Sequence, residues 1–381
     1  MMLNKLNIYS CIVFFFLIPL QKEKHSYQNY YANNYSTIKH VVTVQHPGEK
    51  APTKVVLTQV KNAAGITIEY FMDVQSVICL ENVCKVIPVR MYWNAIGEYQ
   101  RYTLQKGATL EKYEADVFAP KDYDKLHTIL KNKKSPFKEV YIEDVLTVKN
   151  ELSDNIDAIS GATALDLAEE DTVPGAALTC FTLWHWANGE IISIAQQITA
   201  STATDAQLLA FINKKNTTYY TLALAELSKR KLYKNNFINA IFKNLKETQK
   251  EVKPTINYLE GSPKNTYLKT IKKLFINGNL AQKIAALKSI KNTTHNIKPK
   301  YLDSISAYAG KLKTYQEIAA LLQMLESKNY FSEKTADHLI PLLNANFITA
   351  RRVYWFLQDK NLTKNQKSVI TNFKQLHKNK L

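Results

Sequence analysis

From about Thr202 to the C-terminus, apolar residues recur every three or four positions and no strand-like alternation is left, so this half of the chain has to be built from helices. Phe237, Ile238, Ile241, Phe242 and Leu245 form one apolar face, and Leu280, Ile284 and Leu287 form a second. Leu302, Ile305, Tyr308 and Leu312, then Tyr315, Ile318, Leu322 and Leu325, supply two more. The spacing predicts about nine or ten short amphipathic helices with short polar links. Thr314 and Glu317 have the spacing of a capping box, and Asn277-Gly278 and Asn292-Thr293 punctuate neighbouring helices. No strict sequence repeat aligns across this half.

The preceding part reads differently. Short runs rich in β-branched and aromatic residues at 41–44, 54–60, 66–71, 76–79, 84–92 and 98–104 alternate with turn signals, which predicts an antiparallel meander. Pro120 opens a run with Tyr123, Leu126, Ile129 and Leu130 at helical spacing, so one helix is expected there, broken at Ser135-Pro136. Residues 137–148 are expected to be extended. The apolar run 176–187, which holds Cys180, Trp184, His185 and Trp186, reads as a buried helix ended by Asn188-Gly189, with Cys180 a buried thiol. The class is therefore α+β followed by an all-α part, with boundaries at 38–198 and 202–381.

Charge follows the same division. Residues 201–381 hold 31 of the 50 Lys+Arg and 11 of the 33 Asp+Glu, a net of +20, whereas the remainder nets −3. The lysines are spread over nearly every predicted helix, which is the pattern of a solvated surface rather than of a nucleic-acid footprint, so no nucleic-acid partner is expected. Attraction to an acidic redox partner or to anionic lipid headgroups is the functional alternative.

Lys5, an apolar run over 8–20 and the charged Lys22, Glu23 and Lys24 have the layout of an export signal in residues 1–24. The run is shorter than the roughly 20 residues that span a bilayer, so cleavage is expected rather than anchoring. Export to the periplasm or the outer face of a bacterial membrane permits disulfides. Cys79 and Cys84, on either side of Leu80-Glu81-Asn82-Val83, are expected to pair, with a catalytic dithiol as the other reading. No CxxCH haem site, double CxxC zinc site or Ser/His/Asp constellation is present, and His295, His338 and His377 lack metal-ligand spacing.

One short segment carries specific chemistry: Asp157-Ala158-Ile159-Ser160-Gly161-Ala162-Thr163. Gly161 and Ala162 allow backbone to approach a phosphate, and the N–H groups of such a turn can form an anion-binding nest. Thr163 has a hydroxyl but no basic neighbour in sequence to activate it, so modification by another enzyme fits better than self-catalysis. Asp157 and Ser160 read either as plain turn formers or, for Asp157, as a group that holds a metal or orients the turn.

The pattern DxxSGAT resembles the flavin-attachment sequence of FMN-binding domains in exported subunits of the sodium-pumping quinone reductase and Rnf-type electron-transfer complexes. The resemblance implies FMN joined by a phosphoester to Thr163 through a flavin transferase, with Asp157, Ser160, Gly161 and Ala162 forming the cofactor-binding turn. It implies an electron-transfer component with a membrane-associated redox partner protein rather than a stand-alone enzyme. The sequence departs from that family just after the motif, where Asp166, Glu169, Glu170 and Asp171 intervene. Trp184 and His185 then read as flavin-contacting residues, with core packing at a helix end as the alternative. Tyr92, Trp93 and Tyr99 read as cross-strand packing. The helical half is similar in architecture to degenerate HEAT-type repeats, and a second function follows from it: an envelope interaction protein without flavin, whose helical part binds the partner.

Overall fold

The computed structural model describes residues 35–77, 86–112, 115–147, 169–247 and 252–381. Five strands, β1 (Tyr35–Val44), β2 (Thr53–Asn62), β3 (Thr67–Gln75), β4 (Pro88–Asn94) and β5 (Tyr99–Leu104), lie in the order β1-β2-β3-β4-β5. All neighbours are antiparallel, as hairpin connections require. The β2–β3 and β4–β5 turns use one device. Asn62 Oδ1 accepts from the N–H groups of Ala64 and Ile66, Asn94 Oδ1 accepts from those of Ile96 and Glu98, and a glycine at positive φ completes each turn.

Period two divides the sheet into faces. Tyr70, Met72 and Val74 on β3, with Val89, Met91 and Trp93 on β4, point into the core and are buried. On the opposite face Arg90 forms a two-bond ion pair with Asp73 and lies 4.8 Å over the Phe71 ring. Arg101 pairs with Glu69 and lies 3.7 Å over Tyr92. Among the described residues, cation–π stacking covers these outer aromatic side chains.

The inner face is covered by α1 (Pro120–Lys131), α2 (Ile142–Thr147), α3 (Ala177–Asn188) and α4 (Ile191–Ser201). α3 is the centre of this layer: α1, α2 and α4 all pack on it. Trp93 donates its indole N–H to the Ala187 carbonyl at 2.9 Å, which ties the middle of the sheet to the end of α3. The β4–β5 turn meets the start of α4 so closely that a Cβ on Gly97, at φ +76°, would lie 2.7 Å from the Ile192 carbonyl oxygen. Only glycine satisfies both the dihedral and the approach.

Some local expectations are corrected. Residues 137–147 are not extended, and Val148 lies outside the described residues: Pro136–Lys138 is a 3₁₀ turn, followed by α2. Ser135 accepts from the Phe137 N–H to start the turn, and Phe137, Val140, Ile142 and Val145 are buried, so packing overrides their β-branched composition. β1 starts at Tyr35, earlier than the alternation suggested, and β3 runs on to Gln75. Ser76 then exchanges backbone and side-chain hydrogen bonds with Ile87, and residues 78–85 lie outside the described residues.

Eleven α-helices follow among the described residues: α5 (Asp205–Ile212), α6 (Thr217–Lys229), α7 (Asn235–Glu247), α8 (Val252–Glu260), α9 (Lys264–Asn277), α10 (Leu280–Asn292), α11 (Pro299–Ser306), α12 (Tyr315–Ser327), α13 (Glu333–Leu339), α14 (Phe347–Leu357) and α15 (Lys364–Leu376). α4, α6, α8, α10, α12 and α14 pack in succession into one row, while α5 on α7 and α11 on α13 belong to the other side. The result is a stack of helical hairpins in two layers.

Capping holds the stack in register. Asn279, Thr314 and Thr363 each accept from the backbone N–H three residues on, and Gln282, Glu317 and Gln366 reciprocate. These reciprocating side chains also reach the previous hairpin. Gln282 donates to the Leu245 carbonyl at 2.9 Å, Glu317 takes Lys283 at 3.1 Å, and Gln366 donates to Asp337 at 2.7 Å. Two expected core positions lie outside: Leu280 and Tyr315 occupy the first turns of α10 and α12 and are exposed, and Ala286, Leu287 and Ile290 fill the interior of α10 instead.

Buried apolar residues fall into two clusters, one from Val44 to Ala195 and one from Ala203 to Phe373. Polar contacts join them. Thr199 on α4 hydrogen-bonds the Tyr70 hydroxyl at 2.8 Å and donates to the Ala95 carbonyl, and Gln59 donates to Thr202 at 3.0 Å. Arg230 at the end of α6 donates to the carbonyls of Ala200 and Ser201, which close α4.

Candidate functional site

α3 owes its central place to composition: Thr179 through Ala187 are all buried, so the helix has no solvated face. Around its second half lies a cluster of rings. Phe181 and His185 are 4.4 Å apart between centroids, Trp184 and His185 5.0 Å, and Phe137 faces Phe181 edge-on at 6.1 Å. His46 enters from the end of β1, 4.8 Å from Trp186 and 5.7 Å from His185.

The His46 tautomer follows from its partners. The Gly48 N–H donates to Nδ1 at 3.1 Å, so Nδ1 is the acceptor, and Nε2–H donates to the Thr182 carbonyl at 3.0 Å. Burial lowers its pKa below the ordinary histidine value, although the Thr182 bond opposes the shift. A second tie closes this corner: the Gln45 N–H donates to Glu190 at 2.8 Å, next to the helix-ending Gly189.

His185 differs from His46. Its Nε2 is buried and has no hydrogen-bond partner, a costly state for a ring nitrogen. Burial, with the neighbouring His46 acting in the same direction, pushes its pKa down to about 4, against a hydrogen bond to the Phe137 backbone. His185 is therefore a neutral imidazole near neutral pH, with unused hydrogen-bonding capacity inside an aromatic enclosure. Trp184, by contrast, is committed to protein: it is 3% exposed and its indole N–H donates to the Asn132 carbonyl at 2.9 Å.

Trp184 and His185 pack against each other in the core, whereas Asp157, Ser160, Gly161, Ala162 and Thr163 lie outside the described residues, as do Cys79 and Cys84. The chain on both sides of the motif is described, and both sides reach α3. α2 packs on it, and Val173 donates its N–H to the Cys180 Sγ at 3.4 Å. Burial pushes the Cys180 thiol up to about 12, so it is inert as a nucleophile. Trp93 is fully buried, Tyr92 packs under Arg101, and the Tyr99 hydroxyl hydrogen-bonds His127 Nδ1 at 3.1 Å.

Sequence reasoning missed His46. Its one signal is position, a histidine at a strand end directly before Pro47-Gly48, where the turn folds the ring back onto the layer beneath. Among the described residues, no group of three or more His, Cys, Asp or Glu side chains is arranged to hold a metal ion, and no helix is long and apolar enough to cross a membrane. No protein-family model, curated protein or solved structure matches the chain.

Proposed function

We propose that the chain is an exported flavoprotein carrying FMN on Thr163 and passing electrons to a partner in the cell envelope. The observation that carries the proposal is the DAISGAT sequence at 157–163. Its setting supports it: the part before Ser201 is an antiparallel sheet backed by helices, and the chain on both sides of the motif is anchored on α3. In this reading residues 38–198 are an FMN-binding-like domain and 202–381 a separate helical domain, preceded by a cleaved signal in 1–24.

The fit of a flavin can be tested against the residues around α3. His185 fits, because its buried Nε2 has capacity to bond a polar ring atom and its neighbours exclude water. Trp184 fits less well, since its N–H and most of its surface are used by protein. FMN would supply the redox chemistry, and the chain would supply position, a dry surrounding and a neutral hydrogen-bonding imidazole. Co-expression with a flavin transferase should add the mass of one FMN minus water, and Thr163→Ala should remove it. An unmodified mass under those conditions rejects the proposal.

The enclosed packing of Trp184 favours one alternative, an envelope interaction protein without flavin. Thr163→Ala would then leave its activity intact, while deletion of the helical array would abolish it.

A further inference from the structure

The helical array contains a feature that the flavin proposal does not use. α9 packs on α8 and α10 and is hydrogen-bonded to α11 through Tyr301 and Lys272, and two openings lie beside its C-terminal end. Each opening is a cavity. One, of about 580 Å³, lies between α7, the end of α9 and Gln282 of α10; the other, of about 250 Å³, lies between the end of α9, Lys283 of α10 and the Tyr308–Leu312 turn. Asn277 lines both, and the two cavities adjoin there to give a groove in two parts.

The lining is one-sided in charge. Lys243, Lys246 and Lys273 border the larger cavity and Lys283 and Lys311 the smaller, and no carboxylate lines either one. Lys283 is neutralised by Glu317 at 3.1 Å, and the other four have no ion pair among the described residues. Two of them are held against the walls: Lys273 Nζ lies 4.5 Å over the Phe242 ring and Lys311 Nζ 5.0 Å over Tyr308. Stacking of this kind limits the freedom a lysine loses on binding. The floor between the charges is apolar, with Phe242, Leu274, Phe275 and Leu312.

We propose that this groove binds an extended acidic segment of a partner protein, in which Asp or Glu side chains alternate with apolar ones. The geometry selects a peptide over other anions. A bilayer is flat and cannot enter a groove behind α9. Inorganic polyphosphate brings acceptors only, whereas the Asn239 and Asn277 side chains both donate and accept. Peptide N–H groups supply donors, carboxylates meet the lysines, and apolar side chains cover the floor.

The assignment does not rest on flavin attachment, and Thr163→Ala should leave it unchanged. The test is fluorescence anisotropy on the full mature chain with a labelled synthetic peptide of about fourteen residues alternating Glu with Leu and Phe. Binding should weaken with salt, and Lys243→Gln/Lys273→Gln/Lys311→Gln should reduce affinity about tenfold or more, a loss of at least about 1.4 kcal/mol. The control Lys364→Gln/Lys367→Gln/Lys374→Gln, on exposed α15, should stay within about twofold, with both variants matching the parent in helical circular dichroism. Equal losses in the two variants would show diffuse charge attraction and overturn the proposal. So would absence of peptide binding, or tighter, lysine-dependent binding of inorganic polyphosphate or of phosphatidylglycerol vesicles.

Discussion

The part around the sheet and the helical array bury polar groups in different ways. In the array they are buried in pairs: Gln282, Glu317 and Gln366 each complete a helix cap and bond the previous hairpin, and Tyr220 and Tyr267 find Thr255 and Ser289. Around α3 the accounting is incomplete, because His185 Nε2 is buried without a partner. Structural polar groups are satisfied, and an orphan in a dry aromatic setting marks a place where something other than stability shaped the chain. The contrast sets His185 apart from the paired polar groups of the array.

The largest test of that contrast is Trp93→Ala. Trp93 is fully buried and joins the sheet to α3, so its truncation should cost about 3–5 kcal/mol. Near-ultraviolet circular dichroism should show the sheet core melting well below its parent temperature while the far-ultraviolet helical signal shifts less. A single transition that moves as a whole would show that the two clusters unfold as one unit, and the contrast would fail.

The pH dependence is the next largest. His185 has an ordinary pKa of 6.5 in the unfolded chain and about 4 in the fold. Between those values the unfolded state binds the extra proton, so stability is fully present above about pH 6.5 and falls as pH drops toward 4, by up to about 3 kcal/mol. His46 shifts in the same direction. His185→Phe keeps a ring in the cluster and should flatten the melting profile over that window. A variant with the parent's full acid sensitivity would assign that sensitivity to other groups.

The smallest effect is expected in the array. Gln282→Leu removes a cap contact and the bond to Leu245, at a cost of about 1–2 kcal/mol. In a stack where each hairpin touches only its neighbours, hydrogen exchange should accelerate at α7–α10 and hardly change at α14 and α15. Acceleration spread evenly over the array would argue against such local coupling.

Legibility in the sequence followed the same division. The meander, α1, α3 and the capping box at Thr314 were readable because period, turn residues and packing agree there. The run 137–147 is hard to read because β-branched side chains suit both a strand and a buried helix, and the contact with α3 decides between them. His46 was illegible because its role depends on a turn that brings it to Thr182, distant in sequence. The array's repeat was hidden because side chains such as Gln282 and Gln366 serve it by hydrogen-bond geometry rather than by identity. The groove beside α9 depends on a packing gap, for which no residue type is a signal.

The hydrogen bonds around α4 have a mechanical consequence. Thr199, Thr202 and the carbonyls of Ala200 and Ser201 are held from the sheet on one side and from Arg230 on the other, so the halves meet at a braced joint rather than a tether. A braced joint sets a bearing. Because α4 is bonded both to the sheet and to Arg230 of the array, the array leaves the sheet in one direction instead of swinging on a hinge. Loosening the joint at Thr199 would free that direction without removing a residue from either apolar cluster.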